Sequence, residues 1–493
     1  MRDCRWLDLD EYIPRYYLIF KDSQMQKKQL SVLVAAALMT MAAGAQAAVP
    51  YTTPVLTAGD AQEMTAPYIL AAGWTQKVIA NRTNQVALGQ GNSGSWDMID
   101  SNQTGPDANR YLFMPFETST GGVQRVDLRD TNYNTRTVTI VAPGTQGFVS
   151  GDASRWTPWG SYLTAEESWG TGSTKGRLFE VTNPTTAAAN GGTFIQRTIV
   201  PRVSHEGLAF DANKSMYFID ELNGGSVYKY VSANPNATDG NGYFAAGQTF
   251  ALKVGAGGQF EGNNGPAITG ASNWVAITDV NGGAIAGVST VLGDGTIDGR
   301  ATADHASILG TSFNRPEDLE IQNLANGNQL LYFATTDSDN NGNSADGRSR
   351  VYSLNLTTGA LGLFASTDTI DSATGLPVGT PFSNADNLAI GPDGTMYIIE
   401  DQNGGVENIW STVDANKDGI AESMSVIATL RTKNAESTGM HFVGNEIYVN
   451  VQHPQSGNDV LVQISAPVPE ADTYAFMALG MGLVGLLARR KKA

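Results

Sequence analysis

Carboxylates recur at one matched position along this chain. Glu206, Glu317 and Asp386 each open a similar segment, and Thr438, with Glu436 two residues before it, opens a fourth. A further stretch, Trp156 to Trp169, ends an apolar run in the adjacent acids Glu166 and Glu167. Carboxylates gathered without counter-charge repel one another and must either hold protons or bind cations. Hard oxygen ligands select Ca²⁺, Mg²⁺ or trivalent iron over soft metals. The alternative, that each acid caps a turn, suits any single position better than three in one register.

Two loops carry a different calcium chemistry. Asp414-Ala-Asn416-Lys-Asp418-Gly419 spaces its oxygens as a calcium loop does and turns on a glycine. Ser425 stands where a complete EF-hand needs its bidentate Glu, so the expectation is an isolated structural loop, with a polar turn as the alternative. Asp337-Ser-Asp339-Asn-Asn-Gly342 is a looser version. The four histidines, His205, His305, His441 and His453, lack the H-E-x-x-H spacing of a zincin. No Walker A loop or G-x-S-x-G elbow occurs.

The elements that must position these acids are repeated strands. Glu206-Gly-Leu-Ala-Phe-Asp leads into Met216-Tyr-Phe-Ile-Asp-Glu and Val227-Tyr-Lys-Tyr, and the segments opened by Glu317, Asp386 and Thr438 follow the same plan. Each reads as a short strand, a tight turn, a second strand, a polar loop and a third strand. Turns such as Pro392-Asp393-Gly394 suit hairpins, because Gly and Asn tolerate positive φ. No stretch of the body shows a 3.6-residue apolar period over 12 or more positions. Repeated units of three or four strands are the mark of a β-propeller. The four clear units, with about 150 residues before them, predict an all-β, six-bladed β-propeller rather than a sandwich or solenoid. First strands of propeller blades line the channel, so the matched acids should converge at one mouth. Strand side chains alternate, so one of Glu166 and Glu167 should face the channel unless a bulge admits both.

Composition agrees with an exported, acidic body. The chain has 493 residues, 55 of them Gly, with 31 Lys and Arg against 48 Asp and Glu and a net charge of −17. That balance opposes nucleic acid as a partner. The lone Cys4 excludes an internal disulfide and a Cys-ligated zinc site. Residues 1–24 read as the product of a misassigned start codon. Residues 25–47 read as a signal peptide: Lys27 and Lys28, an apolar run from Leu30 to Met41, then Ala45-Gln46-Ala47 before a mature start near Ala48. The body, 48–466, is the propeller. Residues 467–493 place Val468-Pro469-Glu470-Ala471 before the apolar run Tyr474 to Ala488 and the basic cluster Arg489 to Lys492. That order resembles the PEP-CTERM sorting signal of Gram-negative bacteria, with Ala471 where a second Pro is common. The resemblance implies transient inner-membrane anchoring by a short hydrophobic helix and processing by an exosortase. It also implies delivery to the cell surface or an exopolysaccharide matrix.

Six motifs in order carry a second resemblance: Thr157-Pro-Trp-Gly-x-x-Leu-Thr-x-Glu-Glu, Ser204-His205-Glu206-Gly207, Arg315-Pro316-Glu317, Asn384-Ala385-Asp386-Asn387-Leu388, Glu436-Ser-Thr-Gly439 and Val451-Gln-His453-Pro454. Together they resemble the PhoX-type alkaline phosphatases. The resemblance implies a carboxylate-bound cluster of iron and calcium that hydrolyses small phosphate esters. It makes Glu166, Glu167, Glu206, Glu317, Asp386 and Glu436 metal ligands and Arg315 a holder of phosphate oxygens; His453 reads as a phosphate contact or a support behind the ligands, with a hydrogen-bonded structural His as the alternative. A guanidinium fork suits two phosphate oxygens at once. One departure stands out: the family's bridging Cys before the Glu pair is Ala165 here. A thiolate bridge therefore cannot form, which favours calcium over an iron pair. It also keeps a non-catalytic, calcium-binding matrix or adhesion propeller in view. Glu206-Gly-Leu-Ala-Phe-Asp with Ile219-Asp-Glu also resembles the phytase-like esterases.

Overall fold

The computed structural model describes residues 62–466, apart from 168, 169, 171, 263, 264, 337–348 and 402–406. The segments read as a misassigned start, a signal peptide and a sorting signal, and the Asp337–Gly342 loop, lie outside the described residues.

Short β-rich segments separated by Gly and Asn turns pair locally, each with the next. Among the described residues they build six antiparallel four-stranded units in chain order; the third and fourth are joined in one nine-stranded sheet, the fifth carries two further short strands, and a two-stranded ribbon stands apart. Sheet I holds Asp100–Ser101, Tyr111–Pro115, Val123–Asp127 and Thr137–Val141; sheet II holds Gly151–Trp156, Tyr162–Glu166, Leu178–Val181 and Phe194–Gln196. Sheet III runs through Leu208–Phe210, Met216–Ile219, Val227–Ser232 and Gly247–Val254, and sheet IV through Pro316–Asn323, Gln329–Thr335, Arg350–Asn355 and Ala360–Ser366. Sheet V holds Ala385–Ile390, Met396–Glu400, Asn408–Val413 and Ser423–Leu430. Each repeat thus has a fourth strand beyond the three read from the sequence.

Sheet VI is closed from afar. Glu436–Val443, Glu446–Gln452 and Val460–Ser465 take their outer strand, Thr75–Asn81, from the start of the described chain. Closure by a distant strand leaves the ring without a loose end, the device by which propellers avoid exposed edges. An additional strand, Gly270–Ala276, pairs with the outer strands of both sheet III and sheet IV and ties them together. Helices among the described residues are no longer than six residues.

The apolar core lies between sheets rather than along the axis. One cluster joins Ala153 and Leu163 of sheet II to Leu208 and Phe218 of sheet III; another joins Ile399 and Ile409 of sheet V to Val449 and Val462 of sheet VI. Toward the axis the backbones close in, and glycine permits it. A Cβ on Gly207 would lie 2.4 Å from the Leu319 nitrogen, and one on Gly439 would lie 2.6 Å from the Asp97 carbonyl oxygen. Each glycine follows an axial acid by one or three residues, so the close approach occurs where the candidate ligands converge.

Candidate metal centre

The innermost strand of each sheet brings one acid to the same end of the axis. They are Asp97, Asp152, Glu206, Glu317, Asp386 and Glu436, and all line one cavity of about 100 Å³. In four sheets a β-bulge sits at or just after the acid, where the ladder shifts between Gly151 and Ser154, Pro316 and Leu319, Ala385 and Leu388, and Thr438 and His441. A bulge turns a side chain that regular alternation would bury in the sheet. The two residues before the acid add to this turn. Ser95, Ser150, Arg315, Asn384 and Asn434 have φ between 40° and 54°. Each stands two positions ahead of its axial acid, and each non-glycine residue held so costs about 1–3 kcal/mol.

A second set comes from the adjacent strand. Glu117, Glu167, Glu221, Asp401 and Gln452 stand just beyond or at the end of the second strand of their sheets and line the same cavity. Their placement follows from one hydrogen bond. The N–H groups of Glu117, Glu167, Glu221 and Asp401 donate to the carbonyls of Ser95, Ser150, Ser204 and Asn384, at 2.8–2.9 Å. In sheet IV the equivalent donor is Thr336, to Arg315. The cavity therefore gathers ten carboxylates and one guanidinium, that of Arg315.

The polar cross-links converge on Asn387. Its Nδ2 donates to Glu206 Oε1 at 2.9 Å, while its Oδ1 accepts from the Thr438 hydroxyl and the Gly439 N–H. The Thr438 hydroxyl oxygen also lies 2.5 Å from Asp97 Oδ1. Arg315 donates to Glu221 Oε1 at 2.6 Å and lies 3.3 Å from Glu317 Oε1. Burial alone would lower its pKa, but Glu317 and Glu221 outweigh that and hold the guanidinium charged.

The carboxyls carry the cost of this crowding. Burial, reinforced by neighbouring acids, pushes Asp97, Asp152, Glu167, Glu206 and Asp386 well above the usual carboxylate range. Burial raises Glu317 as well, against the opposing charge of Arg315. Glu117 and Asp401 are pushed up to about 7 by burial and by Glu436. His453 stands at the rim, with its Nε2 2.8 Å from Glu436 Oε2. Burial works against its protonation, but Glu436 raises it to about 10.

These residues fit a hard metal. Asp152, Glu167 and Glu221 can each offer an oxygen within 4.8 Å of the others, and so can Glu206, Glu221 and Glu317. Glu221 belongs to both groups, the arrangement of an acid bridging two cations. Glu206 Oε2, Glu221 Oε2 and Asp152 Oδ1 are buried without a hydrogen-bond partner. Buried oxygens left so cost about 1–3 kcal/mol each, more when charged, and a cation satisfies them.

Of the acids expected from the sequence, Glu167, Glu206, Glu317, Asp386 and Glu436 meet here, together with Arg315. Glu166 does not line the cavity. Alternation turns it to the other side, where it pairs with Arg177 at 2.5 Å and accepts the Val149 N–H. Ala165 is fully buried in the apolar cluster of Ala153, Leu163 and Leu178. Asp414, Asn416 and Asp418 lie off the axis. Asp414 accepts from Asp418 N and Gly419 N, and Asn416 Nδ2 donates to Asp418 Oδ2 at 3.0 Å. Asp97, Glu117, Asp152, Glu221 and Asp401 were not singled out from the sequence. The acid pairs Asp220-Glu221 and Glu400-Asp401 repeat the Glu166-Glu167 pair at the same strand end, and that match could have found two of them.

Residues 144–455 match the family described as alkaline phosphatase PhoX, and residues 467–492 match the PEP-CTERM protein-sorting motif. No curated protein sequence matches. Among solved structures, the chain is similar to Pseudomonas fluorescens PhoX in complex with vanadate, a transition-state analogue. The TM-score is 0.59 at 14% identity, covering 85% of this chain and 97% of that one. A Bacteroides thetaiotaomicron protein of unknown function gives 0.40 at 12% identity, covering 80% and 76%.

Proposed function

This chain belongs to the PhoX alkaline phosphatase family, and on that footing we propose that its axial cavity is the centre of a calcium-dependent phosphatase acting on small phosphate esters. The observation that carries the reading is the pair of acid groups sharing Glu221, with Arg315 on the same wall. Asp152, Glu167, Glu206, Glu221, Glu317 and Asp386 would hold the cations. Bound there, calcium supplies positive charge that polarises phosphoryl oxygens and activates an oxygen nucleophile. The cavity of about 100 Å³ admits a phosphoryl group and leaves the organic part of the ester outside. Arg315, fixed by Glu221 and Glu317, presents its guanidinium to the phosphoryl oxygens and stabilises charge that develops on them. His453, protonated beside Glu436, would face the same group from the rim.

Each of the six sheets serves as one blade in this reading, and the Asp414–Asp418 loop binds a separate calcium away from the axis. Calcium is proposed over an iron pair because no cysteine follows Cys4 and Ala165 cannot supply a bridging thiolate. The PEP-CTERM motif marks the chain for exosortase sorting. We propose that residues 25–47 direct export and that the product resides at the cell surface, in contact with exopolysaccharide.

The test is hydrolysis of a generic aryl phosphate after chelation and calcium return. Wild type should regain activity, and Glu317→Gln should lose it. The absence of Cys at position 165 favours a second reading, a matrix propeller that keeps calcium and lacks the chemistry. Calcium binding without hydrolysis, unchanged in Ala165→Cys, would select that second reading.

A further inference from the structure

We propose that a second, outer set of buried carboxylates positions five of the six axial acids by fixing the turn that leads into each of them. This rests on the axial cavity being a metal centre. In sheet II, Glu166 accepts the N–H of Val149, three residues before Asp152. In sheet III, Asp220 accepts the N–H of Ser204, two before Glu206. Glu261 accepts from Asn314, three before Glu317, and Glu400 accepts from Ser383, three before Asp386. Asp459 accepts from Ser95, two before Asp97. These bonds are 2.9–3.2 Å long.

The acceptors come from different places in the chain. Glu166, Asp220 and Glu400 stand at second-strand ends of their own sheets, Glu261 in a loop, and Asp459 in the neighbouring sheet VI. Simple repetition of one motif does not produce that. What the sites share is the task, because four of the five bonds hold the left-handed residue or the one before it. These bonds act beside those that the carbonyls of Ser150, Arg315 and Asn384 accept, and together they keep the three half-buried residues in that conformation while the axial acids repel one another. Partners on the outer side absorb the acceptors' charge. Arg177 pairs with Glu166, Arg300 with Asp220, and Arg350 with Glu261, while Glu400 accepts from the indole of Trp410 and from Asn408. The three arginines therefore offset the charge of three of the five acceptors. Partners behind metal ligands typically govern affinity by about 10–100-fold.

Glu400→Gln and Asp459→Asn test this in the full chain; each puts an amide donor where a carboxylate oxygen accepts. Calcium titration of chelated protein should show affinity lowered about 10–100-fold in each variant, while the chelated protein still melts cooperatively. Should either variant fail to fold, the other carries the test. If both lose thermal stability yet bind calcium as tightly as wild type, these acids only hold the core and the proposal falls. Adding Asn384→Gly, which accepts a left-handed φ freely, should restore part of the affinity to Glu400→Gln. If wild type binds no calcium, the metal-centre reading fails on its own. The melting temperatures of chelated protein then decide the positioning claim. Asn384→Gly must raise the melting temperature more in the Glu400→Gln background than in wild type, and equal effects would overturn it.

Discussion

The innermost strands carry charge at two levels, and the levels are built on opposite rules. At the mouth, ten carboxylates face one guanidinium, and several buried oxygens have no partner. Farther along the same strands most polar groups have partners, the buried Nε of Arg155 excepted. Asp318 accepts the N–H groups of Leu319 and Leu388, and Asp100 accepts those of Ser101 and Trp156. Glu320 pairs with Arg155 at 2.7 Å across the axis, and His441 contacts Ser101. That level opens on a cavity of about 560 Å³, more than five times the volume at the mouth. Cavity size alone would point to the wrong end. Satisfaction of buried charge separates them, since a fold tolerates unpaired carboxylates only where something else completes them.

The sharpest way to break this contrast is to remove one acid from each level. Glu221→Gln takes a ligand from both acid groups, and its calcium affinity and hydrolysis should each fall by more than the ~100-fold typical of outer partners. Glu320→Gln should leave calcium affinity near wild type and cost about 1–3 kcal/mol of stability, because Arg155 loses its counter-charge. Isothermal titration and thermal melts read both. Equal loss of calcium binding in the two variants would show that the levels act as one site.

A second, smaller effect follows from the raised carboxyls. In the metal-free fold Glu117 and Asp401 titrate near 7, against ordinary values of 4.5 and 3.8. Between about pH 4 and 7 the folded state then holds more protons than the unfolded one, so stability falls as pH rises through that window. Chelated protein should melt several degrees lower at pH 8 than at pH 5. With calcium in excess the drop should shrink or reverse, since the cation favours the ionised acids and stabilises the folded state by mass action. A flat profile in chelator would mean that the acids are not crowded as the geometry places them.

The repeat made much of this legible. Glu206, Glu317 and Asp386 share a register because each opens the innermost strand of a well-kept repeat, and these three line the cavity. Asp97 and Asp152 escaped because sheets I and II have lost the repeat's wording while keeping its backbone. Simple alternation could say that only one of Glu166 and Glu167 faces the axis, but not that the bulge occurs on the neighbouring strand. The bulges and left-handed residues that aim the acids depend on contacts between strands, which no local pattern encodes. Pairing of Thr75–Asn81 with Val460–Ser465 is the extreme case. Two unremarkable strands nearly 400 residues apart meet only because the ring closes.

The least effect is expected where neither rule of the axis applies. The Asp414–Asp418 loop, exposed at Asn416 and Asp418 but buried at Asp414, has side-chain oxygens that already accept from its own backbone, Asp418 Oδ1 from Ile420 N among them. Those bonds shape the loop but leave carboxylate lone pairs open to a cation, since each oxygen can accept twice. Asp418→Ala should therefore lower the bound calcium by one ion, shift the melting temperature slightly and leave aryl-phosphate hydrolysis unchanged. A cation there would organise a surface turn, whereas at the axis it would offset repulsion among buried acids. Calcium content unchanged by the substitution would make the loop a hydrogen-bonded turn, complete without metal, and would place it with the satisfied level of the molecule rather than with the mouth.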